Sequence, residues 1–309
     1  MRIVFMGTPE FAVPCLRQML EEGRHLAGVF TQPDKPKGRG HRLAAPPVKE
    51  LALLHGIPVY QPKSMRTAES AELLRSLAPD LVVVTAYGKI LPQEILEIPP
   101  LGCINVHASL LPRYRGAGPI QWAVINGETR TGVTTQQMAL GVDTGDMLLW
   151  KETAIGENET AGELHDRLSL LGAEVLSDTL KALEAGTLRP VPQKEEDATH
   201  APMLSKELSR LDFTRPAREL HHLIQGLSPW PCAEALLNGK RLKIYRSELV
   251  SMDEEHPLPP GTLTGGGELL VSAGQGLLRL TEVQYEGSRR MSGSDFLRGH
   301  PAPAGARLE

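Results

Sequence analysis

Two polar side chains interrupt an apolar segment of this 309-residue chain. Asn105 and His107 lie within Cys103–His107, a segment whose composition predicts a strand. Side chains two residues apart on a strand share one face, and open α/β sheets bind ligands at the carboxyl ends of their strands. A histidine there can move protons near neutral pH. A histidine at a strand end is also often structural, so the pattern leaves both interpretations open.

A glycine-bounded segment further along the chain supplies two carboxylates. Asp143 and Asp146 occupy residues 141–146, Gly-Val-Asp-Thr-Gly-Asp, after a segment that we predict to be extended. One interpretation is a local turn in which Asp146 hydrogen-bonds its own backbone. The other places Asp143 beside His107, where a carboxylate would orient the ring and support its charged form. Sequence spacing does not choose between the two.

Residues 33–42, Pro-Asp-Lys-Pro-Lys-Gly-Arg-Gly-His-Arg, concentrate positive charge. Proline and glycine interrupt the segment, so we predict an irregular loop over residues 32–47. Such a loop suits contact with phosphate groups, although composition alone favours a solvated surface loop. Its basic side chains are Lys35, Lys37, Arg39 and Arg42.

Several kinds of site are not indicated. The first turn, Met-Gly-Thr-Pro-Glu-Phe-Ala at residues 6–12, has one glycine and a proline where a dinucleotide-binding fold needs G-x-G-x-x-G, so we predict no NAD or FAD. Neither HExxH nor CxxC occurs, so we predict no metal site. The three cysteines indicate buried thiols and a reducing cytoplasm rather than a disulfide framework.

Length and charge set broader limits. A chain of 309 residues favours two domains. The net charge of −4 means that any nucleic acid would have to be bound through local basic patches. The longest apolar run, near residues 81–86, is far too short to span a membrane, so we expect a soluble protein.

The elements that position these residues change in type along the chain. Over residues 1–189, strands alternate with helices, which predicts βαβ units and a mostly parallel α/β sheet. Residues 190–205 are polar and contain three prolines, as is typical of a linker. Residues 206–309 contain a short helix and then several short strands separated by glycine turns, which favours a small β-barrel.

Taken together, the motifs resemble one enzyme family. Residues 105–116, Asn-Val-His-Ala-Ser-Leu-Leu-Pro-Arg-Tyr-Arg-Gly, and residues 141–146 are similar to the formyltransferases that use 10-formyltetrahydrofolate. Residues 5–12 and 30–40 narrow the resemblance to members that formylate methionyl initiator tRNA. The resemblance covers essentially the whole chain. It implies a Rossmann-like N-terminal domain with a mostly parallel sheet and an OB-like β-barrel C-terminal domain that binds tRNA.

The resemblance also implies roles for individual residues. It assigns catalysis to Asn105, His107 and Asp143, without a metal ion. The folate-binding residues that it implies are Tyr87, Gly88, Lys89, Ile90, Leu91, Ser109, Leu110, Leu111 and Pro112. The tRNA-binding residues that it implies are Lys35, Lys37, Arg39, Arg42 and Lys206. Many members carry a lysine where this chain has Met203, which leaves Lys206 as the linker contact.

The expected chemistry is attack of a neutral amine on the formyl carbon. His107 would move the protons, Asp143 would hold the histidine tautomer, and Asn105 would donate to the oxyanion, a contact typically worth ~3–4 kcal/mol. The expected partners are 10-formyltetrahydrofolate and the acceptor arm of methionyl initiator tRNA, with the protein a cytoplasmic monomer. Two alternatives stay open. One is a folate-dependent formyltransferase or hydrolase acting on a small amine or water, and the other is a non-catalytic tRNA-binding protein.

Overall fold

The computed structural model describes residues 1–37, 42–252, 257–300 and 304–309. Within these ranges the chain forms two compact units. The first contains residues 1–116, 132–153 and 165–200, and the second contains residues 117–131, 154–164 and 201–309. Two short inserts, 117–131 and 154–164, therefore join the C-terminal residues in one unit. The predicted domains are consecutive stretches of the chain, without these inserts.

Seven strands form the central sheet of the first unit. They are β1 (Arg2–Gly7), β2 (His25–Phe30), β5 (Val59–Tyr60), β6 (Leu81–Thr85), β7 (Cys103–His107), β9 (Arg130–Gln137) and β10 (Met147–Ala154). Their order is β10-β9-β7-β6-β1-β2-β5. The pairs from β5 to β7 are parallel, and β9 runs antiparallel to β7. Every residue of β6 is buried, as expected for a central parallel strand.

Helices connect these strands. They are α1 (Val13–Glu21), α2 (Pro47–Leu54), α3 (Ala68–Ser76), α4 (Gln93–Leu96) and α6 (Ala161–Glu184), with a 3₁₀ turn at Glu10–Ala12 before α1. Helix α1 buries Cys15 and Met19, which lie one turn apart on one face. Helix α3 begins at the N-cap Thr67, whose hydroxyl accepts from the Ser70 N–H.

Two pairs of short strands complete the first unit. Strands β3 (Lys35–Lys37) and β4 (Arg42–Ala44) pair antiparallel. The prediction of an irregular loop over residues 32–47 was therefore wrong for these six residues, whose backbone groups find partners in a hairpin. Strand β8 is Arg115–Gly116 and strand β11 is His200–Ala201. The Arg115 N–H donates to the Thr199 carbonyl at 2.8 Å, which ties the polar segment before residue 200 to the first unit.

The second unit is built on an antiparallel sheet. Its strands are β12 (Ala233–Leu237), β13 (Lys240–Ser251), β14 (Leu270–Ser272), β15 (Leu277–Tyr285) and β16 (Met291–Ser292). Their order is β12-β13-β15-β14, and β16 also pairs with β15. The helices are α5 (Pro119–Ile125), α7 (Ala217–Leu227) and α8 (Gly293–Gly299), with a 3₁₀ turn at Lys206–Ser209.

Isolated bridges close this sheet into a ring. Leu237 of β12 bridges Leu308, the neighbouring Arg307 bridges Thr262, and the next residue, Leu263, bridges Val271 of β14. The path from β12 through β13, β15 and β14 thus returns to β12. The predicted fold class, a mostly parallel α/β domain followed by a small β-barrel, is confirmed.

The three cysteines are free and buried. Burial raises the pKa of the Cys15 and Cys103 thiols to about 12 and that of Cys232 to about 11. The predicted buried thiols are confirmed.

Among the described residues, no helix has both the length and the apolar character needed to cross a membrane.

Candidate active site

Two neighbouring strands present polar side chains on one face. Asn105 and His107 of β7 lie opposite Gln136 and Thr134 of β9. Strand periodicity places all four side chains on the same side of the sheet. His107 is 6% exposed, so its ring nitrogens depend on partners within the protein.

Asp143 connects Asn105 and His107. Its Oδ1 accepts from Asn105 Nδ2 at 3.3 Å and from Gln136 Nε2 at 2.9 Å. Its Oδ2 accepts from the Gly116 backbone N–H at 2.9 Å and lies 3.5 Å from His107 Nδ1. Of the two interpretations that the sequence left open, the geometry therefore favours Asp143 beside the histidine. The structure brings the three expected catalytic side chains together.

A backbone carbonyl, rather than Asp143, fixes the histidine ring. His107 Nε2 lies 2.9 Å from the carbonyl oxygen of Tyr114. A carbonyl can only accept, so Nε2 carries the proton and Nδ1 of the neutral ring is bare. The 3.5 Å separation from Asp143 is at the outer limit for a hydrogen bond. The expectation that Asp143 holds the tautomer is thus corrected, because Tyr114 does so through its main chain.

The segment that carries Asp143 adopts an unusual backbone conformation. Asp143 has φ +53°, in the left-handed region that aspartate tolerates better than most residues. Gly145 packs so closely that an added Cβ would lie 1.6 Å from the Gln137 carbonyl oxygen. The backbone of this segment therefore fixes the direction of the Asp143 carboxylate.

Gln193 forms hydrogen bonds with the main chain of the same segment. Its Nε2 donates to the carbonyl oxygens of Asp143 at 2.8 Å and Gly145 at 2.6 Å. Its Oε1 accepts from Arg115 Nε at 3.0 Å, and the Arg115 guanidinium also pairs with Glu195. None of these three residues is predicted to belong to the site, and two of them lie in the polar, Pro-containing segment that resembles a linker. Gln136 could have been found only from the register of β7 against β9.

The two segments that the resemblance assigned to folate binding follow adjacent strands. Residues 87–91 follow β6 and residues 109–112 follow β7, so both lie at the carboxyl edge of the sheet. The Thr134 hydroxyl donates to the Ser109 carbonyl at 2.7 Å and accepts from the Leu111 N–H at 3.2 Å. Tyr87 packs into the core at 1% exposure, whereas Ile90 is 62% exposed.

The expected tRNA-binding residues lie in different parts of the chain, and one of them is outside the described residues. Lys35 is exposed, and its Nζ donates to Gln32 Oε1 at 2.9 Å. Lys37 and Arg42 lie in the two hairpin strands, and Arg39 falls outside the described residues. Lys206 is exposed and begins a 3₁₀ turn of the second unit.

Within the described ranges, no three His, Cys, Asp or Glu side chains are grouped so that they could hold a metal ion.

Comparison with known sequences identifies both parts of the chain. The formyl transferase family matches residues 1–180, and the formyl transferase C-terminal domain matches residues 203–301. A methionyl-tRNA formyltransferase of Acetivibrio thermocellus is 50% identical, covering 100% of this chain and 99% of that protein. One from Caldanaerobacter subterraneus subsp. tengcongensis is 52% identical, covering 100% of both.

Solved structures agree on the fold. An N-formyltransferase from Helicobacter canadensis, in complex with folinic acid and dTDP-3-aminofucose, has a TM-score of 0.70 at 18% identity, covering 92% of this chain and 98% of that one. HypX from Aquifex aeolicus, in complex with tetrahydrofolic acid, has a TM-score of 0.65 at 18% identity. The match covers 96% of this chain but 47% of HypX, so this chain spans about half of that protein.

Proposed function

This chain belongs to the formyl transferase family, and on that premise we propose that it transfers the formyl group of 10-formyltetrahydrofolate to the amine of methionyl initiator tRNA. The product is N-formylmethionyl-tRNA, which is used to initiate translation. The proposal rests on full-length relatives with that activity in their names and about half of their residues in common. The convergence of Asn105, His107 and Asp143 on one point supports it.

The residues near that point suit a folate. Segments 87–91 and 109–112 end adjacent strands, so they can flank one ligand. Ile90, Leu140 and Val142 expose 62%, 64% and 64% of their surfaces, and we assign them apolar contacts with the faces of the partly reduced pterin. Bound there, 10-formyltetrahydrofolate would supply the formyl carbon and the leaving nitrogen.

Asn105 is placed to stabilise negative charge. As the acceptor amine attacks, the formyl oxygen becomes anionic and needs a donor that is already oriented. One N–H of Asn105 Nδ2 is directed to Asp143 Oδ1, which fixes the amide plane. We assign the second N–H of the same nitrogen to the formyl oxygen.

His107 is placed to move the proton. The Nε2 proton is donated to the carbonyl oxygen of Tyr114. Nδ1 is therefore the atom that receives the proton from the attacking amine. Protonation there creates a positive charge 3.5 Å from Asp143 Oδ2, which stabilises it. The same proton can then pass to the departing nitrogen.

Basic residues of both units would contact the acceptor arm. Lys35 lies at the start of the hairpin and Lys206 in the second unit, and the hairpin strands also contain Lys37 and Arg42. Arg39, between those strands, is assigned to the same contact by the family resemblance. We place the reaction in the cytoplasm and treat the protein as a monomer.

Acceptor competition tests this function. Purified protein is given 10-formyltetrahydrofolate with methionyl initiator tRNA, and in parallel with small amino sugars or water alone. We expect rapid formylation of the charged tRNA and at least about a hundredfold lower kcat/KM for the small amines, as expected when remote contacts supply binding energy. Preference for a small amine, or hydrolysis alone, would establish the first alternative.

The variant His107→Ala tests the alternative of a non-catalytic tRNA-binding protein. His107→Ala should lose about two to four orders of magnitude in turnover, the usual contribution of general acid–base catalysis, while still binding folate. Wild-type protein that binds tRNA but transfers no formyl group would support a binding protein instead. Near-normal turnover by His107→Ala would remove the proton-transfer role assigned to Nδ1.

A further inference from the structure

We propose that Gln193 is a positioning residue that acts on catalysis through Asp143, an inference that rests on the proposed roles of Asp143 and His107. Gln193 lies 50 residues along the chain from Asp143, yet its Nε2 reaches two main-chain oxygens of the carboxylate segment. It touches neither of the Asp143 carboxylate oxygens. Its effect would therefore be on where the carboxylate points.

The orientation of the Gln193 amide is determined by its neighbours. Arg115 Nε can only donate, so the amide atom 3.0 Å away must be the oxygen. The amide nitrogen then faces the carbonyl oxygens of Asp143 and Gly145, which can only accept. The amide nitrogen also lies 3.5 Å from Gln136 Oε1, another acceptor. All four contacts agree on one amide orientation, which is the condition for a rigid support.

Arg115 is itself immobilised. Its side chain is 2% exposed, and Nη1 lies 3.0 Å and 2.9 Å from the two carboxylate oxygens of Glu195. Its backbone N–H donates to Thr199 at 2.8 Å. Gln193 therefore contacts a buried guanidinium that pairs with the exposed carboxylate of Glu195, on a residue whose backbone is bonded to Thr199.

The residues on either side of Arg115 complete the support. The carbonyl of Tyr114 accepts from His107 Nε2, and the N–H of Gly116 donates to Asp143 Oδ2. Residues 114–116 thus touch both members of the proposed histidine–carboxylate pair. Gln193 joins this short stretch to the backbone of Asp143, whose φ of +53° needs external support.

A loss in kcat without a change in KM or in thermal stability distinguishes a positioning role of Gln193 from a purely structural one. A misplaced carboxylate lowers kcat, because Asp143 acts when His107 becomes charged. Substrate binding through residues 87–91, 109–112 and the basic hairpin would remain. A purely structural role would instead change thermal stability, or change KM and kcat together.

Two substitutions test the contacts in the full-length protein. Gln193→Met keeps the length of the side chain and removes every hydrogen bond. Gln193→Glu still accepts from Arg115 but cannot donate to the two carbonyls, and it serves if the Met variant does not fold. The control is Gln284→Glu in the second unit, where Nε2 likewise donates to a carbonyl, that of Ser288, and Oε1 accepts from Tyr245.

For both Gln193 variants we expect kcat for formylation of methionyl initiator tRNA to fall about ten- to a hundredfold, the range expected for misplacement by a fraction of an ångström to 1 Å. KM for 10-formyltetrahydrofolate and for tRNA should change less than about threefold, and Gln284→Glu should keep wild-type kcat. A kcat within about twofold of wild type in either variant, or a rise in KM at constant kcat, overturns the inference.

A double-mutant cycle asks whether the effect passes through Asp143. In an Asp143→Asn background, Gln193→Glu should lower the residual single-turnover rate less than about twofold, because residues acting as a unit are not additive. Multiplicative losses would mean that Gln193 acts elsewhere and would reject the inference. If Asp143→Asn alone abolishes turnover while Gln193→Glu is fully active, only this inference fails. If Asp143→Asn is itself fully active, the proposed role of Asp143 fails first.

Discussion

Asp143→Asn is the most discriminating single change at the proposed site. Asparagine has the same shape and tolerates the left-handed backbone that Asp143 adopts, so the segment should keep its conformation. The two Oδ1 contacts, from Asn105 and Gln136, can be kept by orienting the new amide oxygen toward them. The new NH₂ then faces the Gly116 N–H and His107 Nδ1, where it loses one hydrogen bond and the negative charge.

The distance between His107 Nδ1 and Asp143 Oδ2 determines the expected loss in kcat. At 3.5 Å, the attraction between an imidazolium and a carboxylate is about 5 kcal/mol with an effective dielectric constant of about 20. At about 1.4 kcal/mol for each factor of ten, this corresponds to a loss in kcat on the order of several thousandfold. The cost in folding free energy should be smaller, about 1–3 kcal/mol for the lost hydrogen bond at Gly116.

Single-turnover formylation measures this loss directly. Enzyme in excess over methionyl initiator tRNA, at saturating 10-formyltetrahydrofolate, reports the chemical step without product release. Folate and tRNA affinities are measured separately by titration and should stay near wild type. The matched control is Asp146→Asn, the same change at an exposed carboxylate three residues away, which should keep nearly full activity.

Two results would refute this reasoning. A rate within about tenfold of wild type would mean that the carboxylate charge does not stabilise the transition state by the amount that its distance implies. An equal loss in Asp146→Asn would mean that the segment, rather than the Asp143 charge, carries the effect.

Further predictions concern Arg39, Gly145 and Glu22. Arg39→Ala should raise KM for tRNA and reduce the salt dependence of tRNA binding by about one charge, with unchanged folate KM in steady-state assays; equal damage to both KM values would contradict the assignment. Gly145→Ala should lower kcat at least about tenfold, since its Cβ would lie 1.6 Å from the Gln137 carbonyl oxygen, and unchanged kcat would contradict the close packing. Burial alone would raise the pKa of Glu22, but hydrogen bonds, first that from Ser177, lower it from 4.5 to about 2. The folded state therefore gains stability above pH 4.5 and loses it as pH falls toward 2. Glu22→Gln should accordingly cost about 1–2 kcal/mol in urea unfolding at pH 7, after allowance for solvent screening, and almost nothing at the acid end; a cost independent of pH would contradict this.

The sequence predicted those parts of the fold that local patterns determine. The predicted bounds of Cys103–His107 agree with the observed strand because its apolar composition is clear over five residues. The shared face of Asn105 and His107 followed from the two-residue period of a strand. The hairpin strands, Lys35–Lys37 and Arg42–Ala44, are three residues each, and the first contains Pro36 and precedes Gly38, so no period was visible.

What the sequence could not predict depends on distant or main-chain contacts. The histidine tautomer is set by the carbonyl of Tyr114, an atom that every residue type possesses. Gln193 reaches Asp143 from a stretch of polar residues in which one glutamine looks like any other. The approach of Asp143 to His107 needs the β7–β9 register, which spacing alone does not supply. The resemblance named three of the residues but none of these supports.

The use of main-chain atoms by Tyr114 and Gly116 has a consequence for how this stretch can change. At position 114 a different side chain still offers the same carbonyl, so substitutions that keep the backbone angles are tolerated, whereas the φ of +115° at position 116 favours glycine. Removing or adding one residue between positions 107 and 116 would instead offer His107 or Asp143 the wrong group. At position 114, chain length is thus under tighter restraint than residue identity.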